Sequence, residues 1–595
     1  MNVEALKVTG KTLAHALTGV AERYPDKGFI FLDTAGKESP YKWPDVDRAT
    51  NARAAQFQSL GLGKGDRVGL IVVEPEDFVL NFFAAIRAGI VPVPLYPPLS
   101  MGELDAYMDR LAGILTTAEA SLLVTSKSLE NVLWGVVDKV PTLRKLVTLE
   151  SLKGATGEMT PVDVSPDDVC FLQYTSGSTS APKGVVVTHA NLIANVTAIM
   201  QHIELHPERD RILCWLPLYH DMGLIGFVVS SLLWGQDCVL VPTLRFLKRP
   251  NTWLGHIHEY RASITFCPPF ALALAERRAK EKQLAEWDLS CLRVVGVGAE
   301  PINPDAARRF TELFSEHCDL PKSAVLPAYG MAEATLAITL KPVHETMHTR
   351  LVDPARFEQD GVAEDVDGDE GLEHVSCGVP FPGHEVRIMD PESGEVLGEN
   401  HEGEICTRGP SICPGYYQNP EASEGSFRGE WLHTGDLGYL CNGEVYVTGR
   451  LKDLIILNGR NIHPQSLEWP LFAIEGIRKG NVVAFSVPGA ETEELVVAVE
   501  KRPDGDADAI REAVRDTLTR EFAVPVADVV VADANTLPKT SSGKLQRRKT
   551  RQLYLGAGIG SQGSRAKGGS ANKVTLVKHV ARSVWTRVKH TTRRS

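Results

Sequence analysis

The stretch YTSGSTSAPKG, Tyr174 to Gly184, decides how the rest of the chain is read. It holds Gly177 and Gly184, hydroxyls at Thr175, Ser176, Ser178, Thr179 and Ser180, and the basic Lys183. The run before it, Val169 to Gln173 (VCFLQ), reads as a strand. The run after it (VVVTHANLIANVTAIM) starts as a strand and turns helical near Ala190. A glycine- and hydroxyl-rich turn behind a strand can wrap a phosphate. Small residues let backbone N–H groups approach the oxygens, hydroxyls add donors, and lysine adds positive charge. A flexible surface loop of the same composition is the plainer alternative. The spacing does not fit GxxxxGK[ST], so this is not the usual P-loop.

Around this stretch lie 595 residues, too many for one compact core, so two or more domains are expected. Apolar content of 43% and charge of 23% are ordinary for a soluble globular protein. The net charge of -12 is uneven, because residues 561–595 carry nine Lys or Arg and no acid. The remainder is thus markedly acidic, which argues against non-specific nucleic-acid binding. Ten cysteines without CxxC or zinc-like spacing suit a reducing compartment. The opening MNVEALKVTGKTLAHAL lacks the basic start and apolar core of a secretion signal. No run reaches the ~18 apolar residues of a membrane span. The expected location is cytoplasmic.

Upstream, residues 11–60 read as helix, hairpin and helix. Lys64 to Pro75 reads as a turn and buried strand, Phe78 to Ala88 as a helix and Ile90 to Leu95 as a strand. This alternation predicts an α/β unit. Gly61, Gly63 and Gly65 precede their strand rather than follow it, so they form a turn and not a dinucleotide loop. Downstream, the strand Ile212 to Leu216 leads into PLYHDMGL, where His220 and Asp221 sit together; an ordinary surface histidine is the alternative. His256 and His258, in HIHEYR, do not form HExxH and read as helix residues without metal. Leu292 to Val297 ends at Gly298-Ala299-Glu300, and Val325 to Pro327 leads into AYGMAEAT, Ala328 to Thr335. Such loops at the carboxyl ends of strands are where α/β sheets place ligands. Lys341 to Ser376 is long, polar and acidic, too long for a structureless loop in a compact domain. Cys377 to Asp390 and Gly403 to Gly409 read as a small β subdomain. Asp436, in LHTGDLG, is expected at a strand-end turn, where a carboxylate can accept both hydroxyls of a ribose. From Arg460, alternating elements predict a separate α/β domain ending near LPKTSSGKLQR, with Lys544 in a Ser/Gly loop. Residues 556–572 read as a flexible linker. Residues 573–590 form a basic amphipathic segment suited to an anionic membrane surface or an acidic partner, with a poorly ordered terminus as the alternative.

Taken in order, these motifs resemble the adenylate-forming superfamily of acyl-CoA synthetases, luciferases, peptide-synthetase adenylation domains and fatty acyl-AMP ligases. The resemblance runs from about residue 10 to residue 550. It implies an N-terminal adenylation domain (1–449) with two α/β sheets and a small β subdomain, a hinge (450–455) at Lys452, and a small mobile C-terminal α/β domain (456–555). It implies ATP and magnesium as cofactors. Thr175, Ser176, Gly177, Ser178, Thr179, Lys183 and Gly184 would hold the phosphates. Gly298, Ala299, Glu300, Tyr329 and Gly330 would hold the adenine, Asp436 the ribose, Met331 would belong to the ATP site, and Arg450 would contact the nucleotide. Glu333 would be the magnesium ligand, an oxygen donor as a hard cation requires. Lys544, His220 and Lys183 are the implied catalytic set, with His220 lining the carboxylate pocket. Ala332 departs from the threonine of many relatives and removes one phosphate hydroxyl.

The form YGMAEAT and an insertion at about 345–374, expected to pack on the C-terminal domain, resemble the fatty acyl-AMP ligase branch. That branch activates a medium- or long-chain fatty acid to acyl-AMP and passes it to an acyl carrier protein or carrier domain. A long-chain acyl-CoA ligase is the alternative, and a non-catalytic acyl-adenylate binding module a remoter one.

Overall fold

The computed structural model describes residues 10–559, apart from 99–103, 155, 176–181, 369, 458–459, 490–492, 523, 541–542 and 557. The central residues of the loop, Ser176, Gly177, Ser178, Thr179 and Ser180, and the amphipathic segment 573–590 therefore lie outside the described residues.

Two large sheets form the bulk of the N-terminal part. A nine-stranded sheet runs in the order Val379–Pro380, Ala337–Leu340, Val325–Gly330, Val294–Val297, Ile264–Cys267, Ile212–Cys214, Cys238–Leu240, Gly28–Leu32, Glu38–Lys42. Its interior strands pair in parallel, while Glu38–Lys42 at one edge and Ala337–Leu340 with Val379–Pro380 at the other pair antiparallel. The parallel strands are short runs of Val, Ile, Leu and Cys without polar alternation, as strands covered on both faces require. A second, all-parallel sheet holds Val91–Pro94, Arg67–Ile71, Ala120–Thr125 and Lys145–Thr148. One continuous core spans the first sheet, its helices and part of the second, and a further cluster packs Leu104–Thr117 on the second sheet. Between them sits the antiparallel pair Val169–Tyr174 and Gly184–Thr188, which presents the glycine-rich stretch at its turn.

The β subdomain is a five-stranded antiparallel sheet built on the long strand Trp431–Cys441, flanked by Gly403–Arg408 and Glu444–Arg450. Here one expectation is corrected. Asp436 is not at a strand-end turn but inside that strand, paired with Arg450. Gly435 takes φ 72°, and the register against Gly403–Arg408 shifts between Glu404 and Cys406. The irregularity gives the Thr-Gly-Asp run a turn-like sequence without ending the strand.

The C-terminal part has its own three-stranded sheet, Ile477–Pro488, Glu493–Lys501 and Val526–Ala532, and its own core. The hairpin Ile455–Leu457 with Arg460–Ile462 packs into that core. The polar segment after Lys341 is structured: Thr349–Val352 pairs with Leu372–Val375 around the helix Pro354–Asp360. That helix packs against Arg460–Ile462, where Arg460 Nε donates to Glu358 Oε2 at 2.8 Å.

No helix among the described residues is long and apolar enough to cross a membrane. All ten cysteines are free thiols.

Candidate active site

The ends of several elements converge on one cleft. The hairpin carrying the glycine-rich stretch is closed at its base by Thr175 N donating to Lys183 O at 3.0 Å. Gly184 lets the Tyr174 ring lie against the backbone, since a Cβ there would be 2.8 Å from the ring. Gly184 O also accepts from Tyr417 N at 2.7 Å, tying the hairpin to the PGYYQN segment. The ammonium of Lys183 stands 4.6 Å from the centre of the Tyr416 ring. The same tyrosine donates its hydroxyl to Glu333 Oε1 at 2.7 Å. Tyr416 thus links Lys183 with the acidic residue of YGMAEAT. The sequence alone does not reveal this role; its only sequence signal is the position of PGYYQN, Pro414 to Asn419, before the TGD run.

Glu333 is 8% exposed and sits in the short turn Ala332–Ala334, after the strand Val325–Gly330 and Met331. Burial pushes its carboxyl above the usual range, and Asp221 and Asp436 push the same way. Gly330 is fixed by its neighbour: a Cβ would fall 1.9 Å from Leu336 O. Tyr329 donates its hydroxyl to Asp436 Oδ2 at 2.9 Å, and Arg450 Nε donates to Asp436 Oδ1 at 3.2 Å. Burial raises the Asp436 pKa, opposed by the Arg450 guanidinium. Asp436 in turn raises that of Arg450.

Gly298, Ala299 and Glu300 follow the strand Val294–Val297. Gly298 is packed so closely that a Cβ would be 2.6 Å from Ala328 O. Ala299 takes φ 72°, a left-handed conformation that costs a residue with a Cβ roughly 1–2 kcal/mol. Its carbonyl accepts a hydrogen bond from Lys544 Nζ, which reaches over from the C-terminal part. Burial lowers the Lys544 pKa, while Glu300, Asp221 and Asp436 act in the opposite direction. Burial raises that of Glu300, against Lys544 and Lys539.

His220 precedes the short helix Asp221–Gly223, which continues through a π-helical stretch, Leu224–Val229, into Ser230–Trp234. Its Nε2 is buried with no hydrogen-bond partner among the described residues. Burial lowers its pKa and the Lys544 charge adds to that, against Asp221. A wide turn of this kind is frequent at functional sites, and nothing in the apolar run LIGFVV signals it. Lys452 lies in the turn Leu451–Asp453 between the two parts, where Asp453 faces Arg547 at 3.5 Å. His256 and His258 lie on the helix Thr252–Tyr260, away from this cleft.

The described candidates Thr175, Lys183, Gly184, His220, Gly298, Ala299, Glu300, Tyr329, Gly330, Met331, Glu333, Asp436, Arg450 and Lys544 thus belong to elements that meet around one cleft, with Lys452 at its seam. Three carboxylates, an imidazole whose pKa burial lowers and three cations around one cleft suit a polyanionic ligand that reacts there.

The sequence model of the AMP-binding enzyme family matches residues 17–417. A putative acyl-CoA synthetase from Caulobacter vibrioides is 38% identical over 517 residues, covering 85% of this chain and 89% of that protein. Long-chain-fatty-acid–AMP ligase FadD26 from Mycobacterium marinum is 31% identical over 598 residues, covering 93% and 99%. Among solved structures, one from a study of the fatty acyl-adenylate ligases of E. coli and L. pneumophila superposes with a TM-score of 0.85 at 33% identity, covering 92% of this chain and 98% of that one.

Proposed function

The chain belongs to the AMP-binding family of adenylate-forming enzymes, close to the fatty acyl-AMP and acyl-CoA ligases, and from that premise we propose that it activates a medium- or long-chain fatty acid to acyl-AMP and hands the acyl group to a carrier protein. The observation that carries the reading is Lys544 of the C-terminal part bonded to Ala299 O, inside the cleft lined by Asp436 and Glu333. A lysine so placed serves adenylate formation, where negative charge builds on the transferring group.

In the first step a carboxylate oxygen attacks the α-phosphorus of ATP, in line with departing pyrophosphate. The P–O bond to the acyl oxygen forms as the bond to pyrophosphate breaks. Under this reading the Thr175–Gly184 loop and Lys183 hold the β- and γ-phosphates. Tyr329 and the backbone of Gly298 to Glu300 take the adenine. Asp436, fixed by Tyr329 and Arg450, accepts the ribose hydroxyls. Lys544 stabilises the charge that develops at the α-phosphate. His220, held neutral by its burial, lines the carboxylate pocket without adding charge. The protein supplies positioning and electrostatics rather than a covalent nucleophile.

Glu333 fits a magnesium site. It is an oxygen donor whose Oε1 is held by Tyr416, in a cluster of carboxylates whose mutual repulsion a cation relieves. Magnesium, when bound, neutralises phosphate charge.

The carrier-protein branch is supported by the helix Pro354–Asp360, clamped to the C-terminal part through Glu358 and Arg460. A clamp of this kind restrains the rotation at Lys452 that thiol transfer needs. A carrier protein can offset the restraint with its own binding surface, whereas free coenzyme A brings fewer contacts. The test is incubation with ATP, magnesium and a series of fatty acids, then with coenzyme A or a holo acyl carrier protein. Acyl-AMP should form, persist with coenzyme A and be consumed by the carrier. Turnover of amino or aryl acids but no fatty acid would sink the substrate class. Acyl-CoA formation as fast as adenylation would instead favour the acyl-CoA ligase.

A further inference from the structure

The helices Thr252–Tyr260, Pro269–Arg278 and Glu281–Glu286 border an open groove of about 810 Å³. Lys248, Arg249, Arg278 and Lys280 line it, and all four are exposed. Most of the acids nearby are engaged in ion pairs, while Glu281, beside Lys280, is exposed. Glu276 pairs with Arg309 at 3.1 Å, Glu286 with Lys282 at 3.7 Å and Asp288 with Arg261 at 2.5 Å. Glu259, the acid on the lining, lies 3.0 Å from His256 Nδ1. In a chain whose body is strongly acidic, this leaves a local excess of positive charge among the described residues.

The groove is not only charged. Trp287 lies on its lining beside Gly255, where a Cβ would be 3.6 Å from the indole. On the helix Thr243–Lys248, directly before Arg249, Leu244 and Leu247 are 44% and 57% exposed. A free phosphate would use the cations but not this apolar surface. An amphipathic acidic helix would use both.

The patch also lies near the seam between the two parts. Burial lowers the Arg277 pKa, and the nearby charges of Arg278, Arg502 and Arg478 add to that, so the C-terminal part comes close to the patch here, although Arg478 itself is paired with Glu500 at 2.5 Å. Trp253, on the groove helix, packs 6.2 Å from Trp215, in the segment that leads to His220.

We propose that this groove docks an acidic protein helix, with its carboxylates on Lys248, Arg249, Arg278 and Lys280 and its apolar residues on Leu247 and Trp287. The occupant is the acyl carrier protein that accepts the activated acyl group, an identification that rests on the function proposed above. Charge complementarity of this kind steers encounter and sets partner choice more than it adds raw affinity.

The test is the double reversal Lys248→Glu with Arg278→Glu in the full chain, assayed with an acidic holo acyl carrier protein. Acyl-AMP formation should stay unchanged, since neither residue borders the cleft. KM for the carrier should rise about tenfold, from removal of attraction and addition of repulsion, with kcat unchanged. Transfer by the native chain should weaken as salt is raised, and the variant should show a shallower salt dependence. A thermal melt checks folding. Should the double variant melt early, Lys280→Glu and the native salt slope carry the same test. Native KM and salt slope in the variants overturn the docking proposal alone. If the native chain acylates no carrier and makes acyl-CoA instead, the functional reading falls and the docking proposal with it. Loss of cosedimentation with phosphatidylglycerol vesicles, with carrier transfer unchanged, would assign the groove to a membrane surface and overturn the proposal.

Discussion

Lys544 is the residue whose chemistry is most exposed to test. Replacing it by alanine should lower acyl-AMP formation by roughly 10²–10³-fold, the usual loss for one electrostatic stabiliser of a transition state. Fatty-acid binding should survive. Its protonated form is the useful one, and burial lowers its pKa from the ordinary lysine value. The sign follows: the cation is present below the lowered pKa and lost as pH rises through it. The basic limb of kcat/KM, which reports the free enzyme, should therefore fall at a lower pH than an unperturbed lysine would give. That limb should vanish in Lys544→Ala; an unchanged limb would assign it to another group. Asp436→Asn tests the proposed ribose site separately. It keeps the shape but removes the charge that faces Arg450, and should weaken ATP binding by about 1.5–3 kcal/mol, read by calorimetry. That Lys544 and Asp436 would be brought near one another was legible in the sequence, because each sits in a distinctive motif, although the strand setting of Asp436 was not. Tyr416 as the bridge between Lys183 and Glu333 was not. A tyrosine in PGYYQN carries no mark of which carboxylate it will meet 83 residues away.

At the scale of elements, the alternation of apolar runs predicted the α/β units well, since parallel strands are short, continuous and apolar. The same reasoning misplaced Asp436. Gly435 signals a break in local conformation, but pairing with two neighbouring strands carries Trp431–Cys441 straight through it. Tertiary pairing outweighed turn chemistry there, and at Ala299, whose backbone is left-handed, no residue type announces that conformation. Gly330 makes the dependence on neighbours testable. Its hydrogen occupies the space next to Leu336 O, so Gly330→Ala forces the strand Val325–Gly330 away from its antiparallel partner. Destabilisation of roughly 1–3 kcal/mol is expected from such overpacking. ATP affinity should fall as well, because the displaced turn carries Met331 and Glu333. A variant with native melting and native ATP affinity would show that the strand pair relaxes without moving the site.

At the scale of the whole molecule, the decisive relation is between the two parts. The C-terminal part is held by Lys544 in the cleft and by a second set of contacts on the far side of Lys452. There, Arg460 bonds Glu358, His463 Nε2 stands 2.9 Å from Glu402 Oε1, and Gln465 bonds Thr448 O. Gly449 is needed at this seam, since a Cβ would lie 2.4 Å from His463 Nδ1. Rotation about Lys452 must break these contacts together. Glu358 is the one that can be removed with least disturbance to the nucleotide site, because it belongs to the helix Pro354–Asp360 and touches no cleft residue. In Glu358→Ala, Arg460 retains its bond to Phe522 O at 3.0 Å and so keeps its place in the C-terminal part. Adenylation should therefore be unchanged. The restraint on rotation should weaken by the worth of a half-buried charge-assisted pair, about 1.5–3 kcal/mol. If that restraint is what excludes free coenzyme A, acyl-CoA formation should rise by about tenfold or more. Removing residues 345–374 with a short Gly/Ser join should raise it further. Transfer to the carrier should change little, since its docking surface already offsets the restraint. A faster adenylation step with no gain in acyl-CoA would show that the contact limits closure rather than rotation, and that coenzyme A is excluded by its access path instead.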